Sequence, residues 1–239
     1  MYFDPLYWLM IGVGLALSLF AQFRVKSTFA RYSREATRSG MTGADVARQI
    51  LAANRITNVR VEAVPGELTD HYDPRTQTLR LSESVYSSRS VAAAGVAAHE
   101  VGHAIQHAQG YAMLKFRSAW VPVASTGSGI SMFVLMGAMF MGGAATAAGQ
   151  TLATIGVALF ATTTIFTLVT LPVEFDASRR ALHTLEANGM VTGAEHAGVK
   201  RVLGAAALTY VAAFVTSLLT LLYYAYRLGL IGGGSRNRE

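Results

Sequence analysis

The sequence predicts a multi-pass α-helical membrane protein, with four transmembrane helices and one small α+β cytoplasmic domain. Three observations carry that prediction. Of 239 residues, 52% are hydrophobic and only 14% charged, where an ordinary soluble domain carries about 25% charged residues. The apolar residues gather into four blocks, each close to the roughly 20 residues that a bilayer-crossing helix needs. The basic residues fall almost entirely into two of the intervening stretches. A mean hydropathy of +0.35 excludes a disordered chain, which is poor in apolar residues. Four such blocks also leave too little polar chain to hide them in a soluble core.

The first block spans residues 2–23 and carries one early charge, Asp4. The blocks at 121–143, 152–173 and 204–226 hold no Asp, Glu, Lys or Arg. No basic residue precedes the first block, and Arg24 and Lys26 follow it. That is the reverse of a cleavable signal peptide, so the segment reads as a retained anchor with its N-terminus outside. Of the 20 Lys and Arg, 13 lie from Arg24 to Arg117 and four (Arg179, Arg180, Lys200, Arg201) between the third and fourth blocks. The positive-inside rule places both stretches in the cytoplasm. Arg227, Arg236 and Arg238 then lie outside, against the rule. The net charge of +6 therefore reads as topology and lipid contact. Without aromatic residues interleaved among the basic ones, it does not read as a nucleic-acid surface.

The expected organisation is transmembrane helix 1 at 1–23 and a cytoplasmic domain at 24–119. A hairpin of helices 2 and 3 follows at 120–173, then a cytoplasmic segment at 174–203, helix 4 at 204–228 and a flexible tail at 229–239. Within the domain, residues 29–39 are basic and predict a helix at the membrane surface. Thr42 and Asp45 form a capping-box pattern that opens a helix to about Asn54. Residues 58–64 alternate in apolar character and predict a strand. Asp73-Pro74 marks a turn, and residues 78–82 predict a second strand with Leu79 and Leu81 on one face. A small, apolar pattern from 90 to 108 predicts a helix stopped at Gly110.

That last helix holds His99-Glu100-Val101-Gly102-His103. Histidines at i and i+4 share one helix face and can reach one metal ion. Glu100, beside the first of them, can serve as general base for an attacking water. A helix with merely surface histidines would not be flanked by Val96, Ala97, Ala98, Ala104 and Ile105. The chain has no cysteine, so any metal must be held by nitrogen and oxygen. A catalytic zinc needs a third protein ligand. His107 is excluded, because eight helical residues rise about 12 Å from His99. His183 and His196 remain candidates; Glu174, a costly carboxylate at the expected membrane boundary, is the better one. Oxyanion donors are sought among His71, Tyr72, Arg179, Arg180 and Tyr210, with His71 preferred.

Four runs resemble the YugP-like neutral zinc metallopeptidases, a family of bacterial membrane proteins: LTDHYDPR at 68–75, AAHEVGHAIQH at 97–107, VTLPVEF at 169–175 with Ala177-Ser178, and AAALTYVAA at 205–213. A wider likeness is to membrane zincins of the HtpX and CAAX-protease type. The resemblance implies a zincin-like domain in the bacterial inner membrane. It implies Zn2+ held by His99, His103 and Glu174, with Glu100 catalytic and the site at the membrane; the choice of His71 as a catalytic donor and of the cytoplasmic side comes from the residues themselves. The substrate would be a peptide or membrane protein, and partners could include regulatory membrane proteins or a second copy of the chain. A non-proteolytic membrane scaffold with a structural zinc is the alternative. In the wider group an Asp follows the glutamate ligand by four residues. Here that position is Ser178, and Asp176 falls on another helix face, so the group orienting the histidines comes from elsewhere or is a hydroxyl. The edge of the 78–82 strand is expected to bind an extended peptide by strand addition.

Overall fold

A computed structural model describes residues 4–231. From residue 232 on, the tail expected at the C-terminus lies outside the described residues. The chain forms two compact units. One comprises Met1–Leu19, Phe116–Thr170 and Tyr210–Glu239; the other comprises Phe20–Lys115 and Leu171–Thr209.

Four long helices run through the chain: α1 (Pro5–Tyr32), α5 (Ala112–Phe140), α6 (Ala147–Ala187) and α7 (Ala194–Arg227). All four are long and apolar enough to cross a membrane. They exceed the apolar blocks, because helical propensity continues past the point where hydrophobicity ends. In the first unit, Met10, Leu135, Ala138, Ala153, Tyr223 and Leu228 form a small core. Large apolar side chains face outward, with Phe133 72% and Phe140 90% exposed. Gly127 lets α5 approach α6, since a Cβ there would stand 2.9 Å from the Leu159 carbonyl oxygen. Arg227, which departs from the positive-inside pattern, pairs with Asp4 at 3.3 Å, and Tyr223 donates to the same carboxylate at 2.8 Å.

The second unit adds the short elements α2 (Gly43–Ala53), β1 (Arg60–Val64), β2 (His71–Asp73), β3 (Thr78–Ser82), α3 (Glu83–Tyr86) and α4 (Val91–Ala108). The capping box of α2 is present: Thr42 accepts from the Asp45 amide, and Asp45 accepts from the Thr42 amide. Residues 33–39 do not extend the helix as expected; α1 ends at Tyr32, and Ala36 bridges to Ser90. Ser90 then caps α4 through the Ala93 amide. Val46, Ile50, Leu79, Leu81, Val85, Val101 and Leu185 pack into one core around α4.

The sheet order is β1-β3-β2, with β1 parallel and β2 antiparallel to β3. This corrects the expected docking edge. The 78–82 strand is the middle strand, paired on both sides, and offers no free edge. The two edge strands are β1 and β2, and sequence patterning misses β2 because it is only three residues long and runs straight into the Asp73-Pro74 turn. Asp73 closes that turn by accepting from the Arg75 amide at 3.0 Å and the Thr76 hydroxyl at 3.1 Å.

Ser90 holds the start of the helix that carries the histidines. Ser90→Ala should cost about 1 kcal/mol of stability, read as a lower thermal midpoint of the purified chain.

Candidate metal centre

α4 presents His99 and His103 on one face, with ring centroids 4.9 Å apart and planes near perpendicular. Glu174 of α6 places Oε2 at 3.2 Å from His99 Nε2 and 3.4 Å from His103 Nε2. One donor atom from each residue lies within 4.8 Å of the others. The Glu174 side chain is only 3% exposed, and each imidazole 12%.

A backbone constraint brings these groups together. A Cβ on Gly102 would stand 2.5 Å from the Ala177 carbonyl oxygen. Any residue larger than glycine would therefore push α4 away from α6. Gly102 lies between the histidines and Ala177 lies three residues past Glu174, so this contact sets the separation of the three donors. The alanines of α4 (Ala93, Ala94, Ala97, Ala98) are buried on its other faces.

Hydrogen bonds orient both rings. Ser178 Oγ lies 3.1 Å from His99 Nδ1, and Gln106 Oε1 lies 3.0 Å from His103 Nδ1. The Gln106 amide nitrogen donates to the Val173 carbonyl at 2.8 Å and to Asp176 Oδ2 at 2.9 Å. Both acceptors lack a proton to give, so the amide cannot be flipped and Oε1 must face His103. Nδ1 of His103 therefore carries the hydrogen, and Nε2 turns toward Glu174. A neutral imidazole would set its lone pair against a carboxylate oxygen, so a cation must lie between them: a proton or a metal ion. Burial disfavours charge on both partners, and their mutual attraction counters that penalty. Burial raises the Glu174 carboxyl, but the two histidines keep it well below the usual range. Burial pushes His103 down, and Glu174 outweighs it to raise the ring above its ordinary value. The donor set, two imidazoles and one carboxylate with both Nδ1 positions engaged elsewhere, fits zinc.

Asp176 carries the chain of bonds outward. Burial raises its carboxyl, but Arg180, Gln106 and Arg179 together hold it below the usual range. Arg180 Nε bonds Oδ2 at 2.5 Å, and Arg179 bonds Oδ1. Both arginines are thus engaged with Asp176. Glu100 follows His99 on the helix and is 9% exposed. Asp70 lies near it. Burial pushes the Asp70 carboxyl up against the bonds from Ser82, and the Glu100 charge adds to the rise.

His71 does not join the donor cluster. Its ring is exposed, Nδ1 bonds the Thr69 carbonyl at 2.8 Å, and Nε2 lies 3.5 Å from Arg80. Strand alternation explains this: Tyr72, the next residue, faces α4 instead and bonds His107 Nδ1 at 2.8 Å. His71 therefore points to the opposite face of β2. Tyr72 and His107 line a cavity of about 120 Å³ with Asn58 and Gln77. His196 lies 3.7 Å from Glu186, and His183 is exposed; neither joins the donor cluster. Tyr210 belongs to the other unit. Gln106, bonded to His103, is the residue of this centre that sequence reasoning misses. Its spacing of i+3 from His103 was a usable signal, since it falls on the same helix face.

An α-helical histidine pair closed by a buried glutamate from a second helix defines a class of zinc-binding hydrolase sites. The chain belongs to the family described as "Putative neutral zinc metallopeptidase", whose match covers residues 7–229. It is 46% identical over 211 residues to the "Putative membrane protease YugP" of Bacillus subtilis (strain 168), covering 88% of this chain and 91% of that protein. No solved structure matches it.

Metal content after dialysis should be lost in His99→Ala and Glu174→Ala and kept in His107→Ala, whose ring is held by Tyr72. Gly102→Ala removes no ligand, yet it should also weaken zinc retention by separating the helices.

Proposed function

We propose that this chain is a membrane-embedded zinc metalloendopeptidase, with the metal held by His99, His103 and Glu174. The observation that carries the proposal is the geometry at His103: Nε2 and a buried carboxylate oxygen face each other at 3.4 Å, an arrangement that a divalent cation would complete. Held by these three residues, zinc would supply Lewis acidity, acidifying a water toward a pKa of about 7 and polarising the scissile carbonyl.

The chain's own residues do the rest. Glu100 stands one residue from the first ligand on a helix whose neighbours are apolar, so no bulk base competes. It removes the proton from the attacking water and then gives it to the leaving amine. Ser178 and Gln106 hold the imidazoles in place throughout. The outer edge of β2 is unpaired in the sheet, and Tyr72 ties that strand to α4. An extended peptide could add to this edge through main-chain bonds, which suits sequence-tolerant cleavage of unfolded segments. Of the two outer strands, β1 and β2, we favour β2 for this role because Tyr72 links it to α4.

Membrane insertion is part of the same proposal. Four helices of sufficient length and apolarity, outward-facing Phe133 and Phe140 and the skewed distribution of Lys and Arg support four spans. On this reading the catalytic unit faces the cytoplasm. The Asp4–Arg227 pair supports the even number of spans, because such a number returns both ends to one side; the orientation rests on the distribution of Lys and Arg. In a bacterium the membrane concerned is the inner one.

Two experiments test the reading. Glu100→Gln should keep zinc and lose about 100- to 10,000-fold in peptidase rate, measured on casein and on membrane extracts. A wild-type rate would instead favour the scaffold with structural zinc. Reporter fusions at Glu83 and Ala147 should report opposite sides of the membrane; the same side for both would overturn the topology.

A further inference from the structure

We propose that Gln106 is the positioning residue of this centre: its buried amide connects an arginine-clamped Asp176 to His103 and locks that ring with its hydrogen on Nδ1. The inference deepens the zinc reading and rests on it. Gln106 is 0% exposed, and an amide buried without partners would cost several kcal/mol. Both amide hydrogens and the carbonyl oxygen are engaged within one small region. The nitrogen spans Val173 and Asp176 of α6, and the oxygen meets His103 of α4.

The far end of the relay is pinned just as firmly. Asp176 accepts from Arg180 and Arg179. Arg180 also donates to Gln109 at 2.6 Å, and its guanidinium lies 5.8 Å from the Tyr111 ring centroid. One side chain of α6 is thereby fastened to the C-terminal end of α4. A carboxylate placed directly on His103 would set a second buried negative charge beside Glu174. An amide supplies the acceptor without that charge, and Asp176 orients the amide from a distance where two arginines balance it.

His99 is held differently. Its partner, the Ser178 hydroxyl, can donate or accept, so that bond does not fix the tautomer. The two ligands are therefore unequal: His103 is preset for the ion, whereas His99 can adapt to it.

The test uses the full-length chain in detergent micelles. Zinc affinity is measured by chelator competition, and site geometry by the visible bands of the cobalt-substituted protein. Gln106→Met, which fills the same space without an amide, should weaken zinc binding about 10- to 100-fold and shift the cobalt bands. Ser178→Ala should lose less. Asp176→Asn should weaken zinc binding in the wild-type background and add nothing in the Gln106→Met background. Leu185→Ala, a core change in α6, should lower thermal stability without moving the cobalt bands. Unchanged affinity and bands in Gln106→Met would overturn the inference, as would a full Asp176→Asn effect in both backgrounds. If Gln106→Met does not fold, Asp176→Asn alone decides: unchanged affinity and bands overturn the relay. A wild-type chain that binds neither ion would overturn the zinc reading itself, and this inference with it.

Discussion

The contact between Gly102 and the Ala177 carbonyl carries the rest of the metal centre. Helix surfaces normally keep axes 8–10 Å apart, depending on the side chains between them. A missing Cβ on α4 lets the α6 backbone come in close, and that approach brings Glu174 within reach of two imidazoles. It also brings Val173, Asp176 and Ser178 to the neighbouring polar groups of α4. Four hydrogen-bonding arrangements thus depend on one absent methyl group. The surrounding alanines have the same effect at lower resolution: small side chains let α4 sit buried among its neighbours while its polar face stays closely held.

Charge at the centre is arranged by distance. Glu174 and Glu100 carry the negative charge nearest the donor cluster, and Asp70 adds to it from the strand side. Asp176, a fourth carboxylate on α6, would compound the repulsion if it stood among them. It is set back behind Gln106 and balanced by Arg179 and Arg180. Buried charges are tolerated only when paired and hydrogen-bonded, and each carboxylate here has such partners or lies near a histidine. Neutral residues take the positions where another charge would destabilise the cluster, which accounts for an amide and a hydroxyl behind the two rings.

The small sheet has a separate role. β3 is central and buried along most of its length, so it anchors α3 and α4 to the core. β2 is short, lies at the edge and alternates sides, sending Tyr72 to α4 and His71 to the charged outer face with Arg80. Edge strands that remain unpaired invite pairing by other chains. A three-residue edge limits such pairing while keeping a few main-chain groups available.

Much was legible in the linear chain. The apolar blocks, the capping box at Thr42 and Asp45, the helix between Ser90 and Gly110, and the histidine pair are all local patterns. Their spacing alone dictates periodicity and facing. Glu174 could be singled out because a carboxylate beside an apolar block is costly wherever the chain folds. The strand order could not be read, because β1, β2 and β3 are joined by loops that permit several pairings, and three residues show no alternation. The face that His71 takes could not be read for the same reason: a one-residue difference on a strand reverses the face. Gln106 lay on the correct helix face, but an amide gives no sequence signal of its own. Sequence by itself determined which residues can bind a metal and which segments can span a bilayer, since both follow from local chemistry and period. Only the tertiary structure decided which polar groups stand behind the ligands, because those bonds join residues about 70 positions apart through a helix contact that only glycine permits.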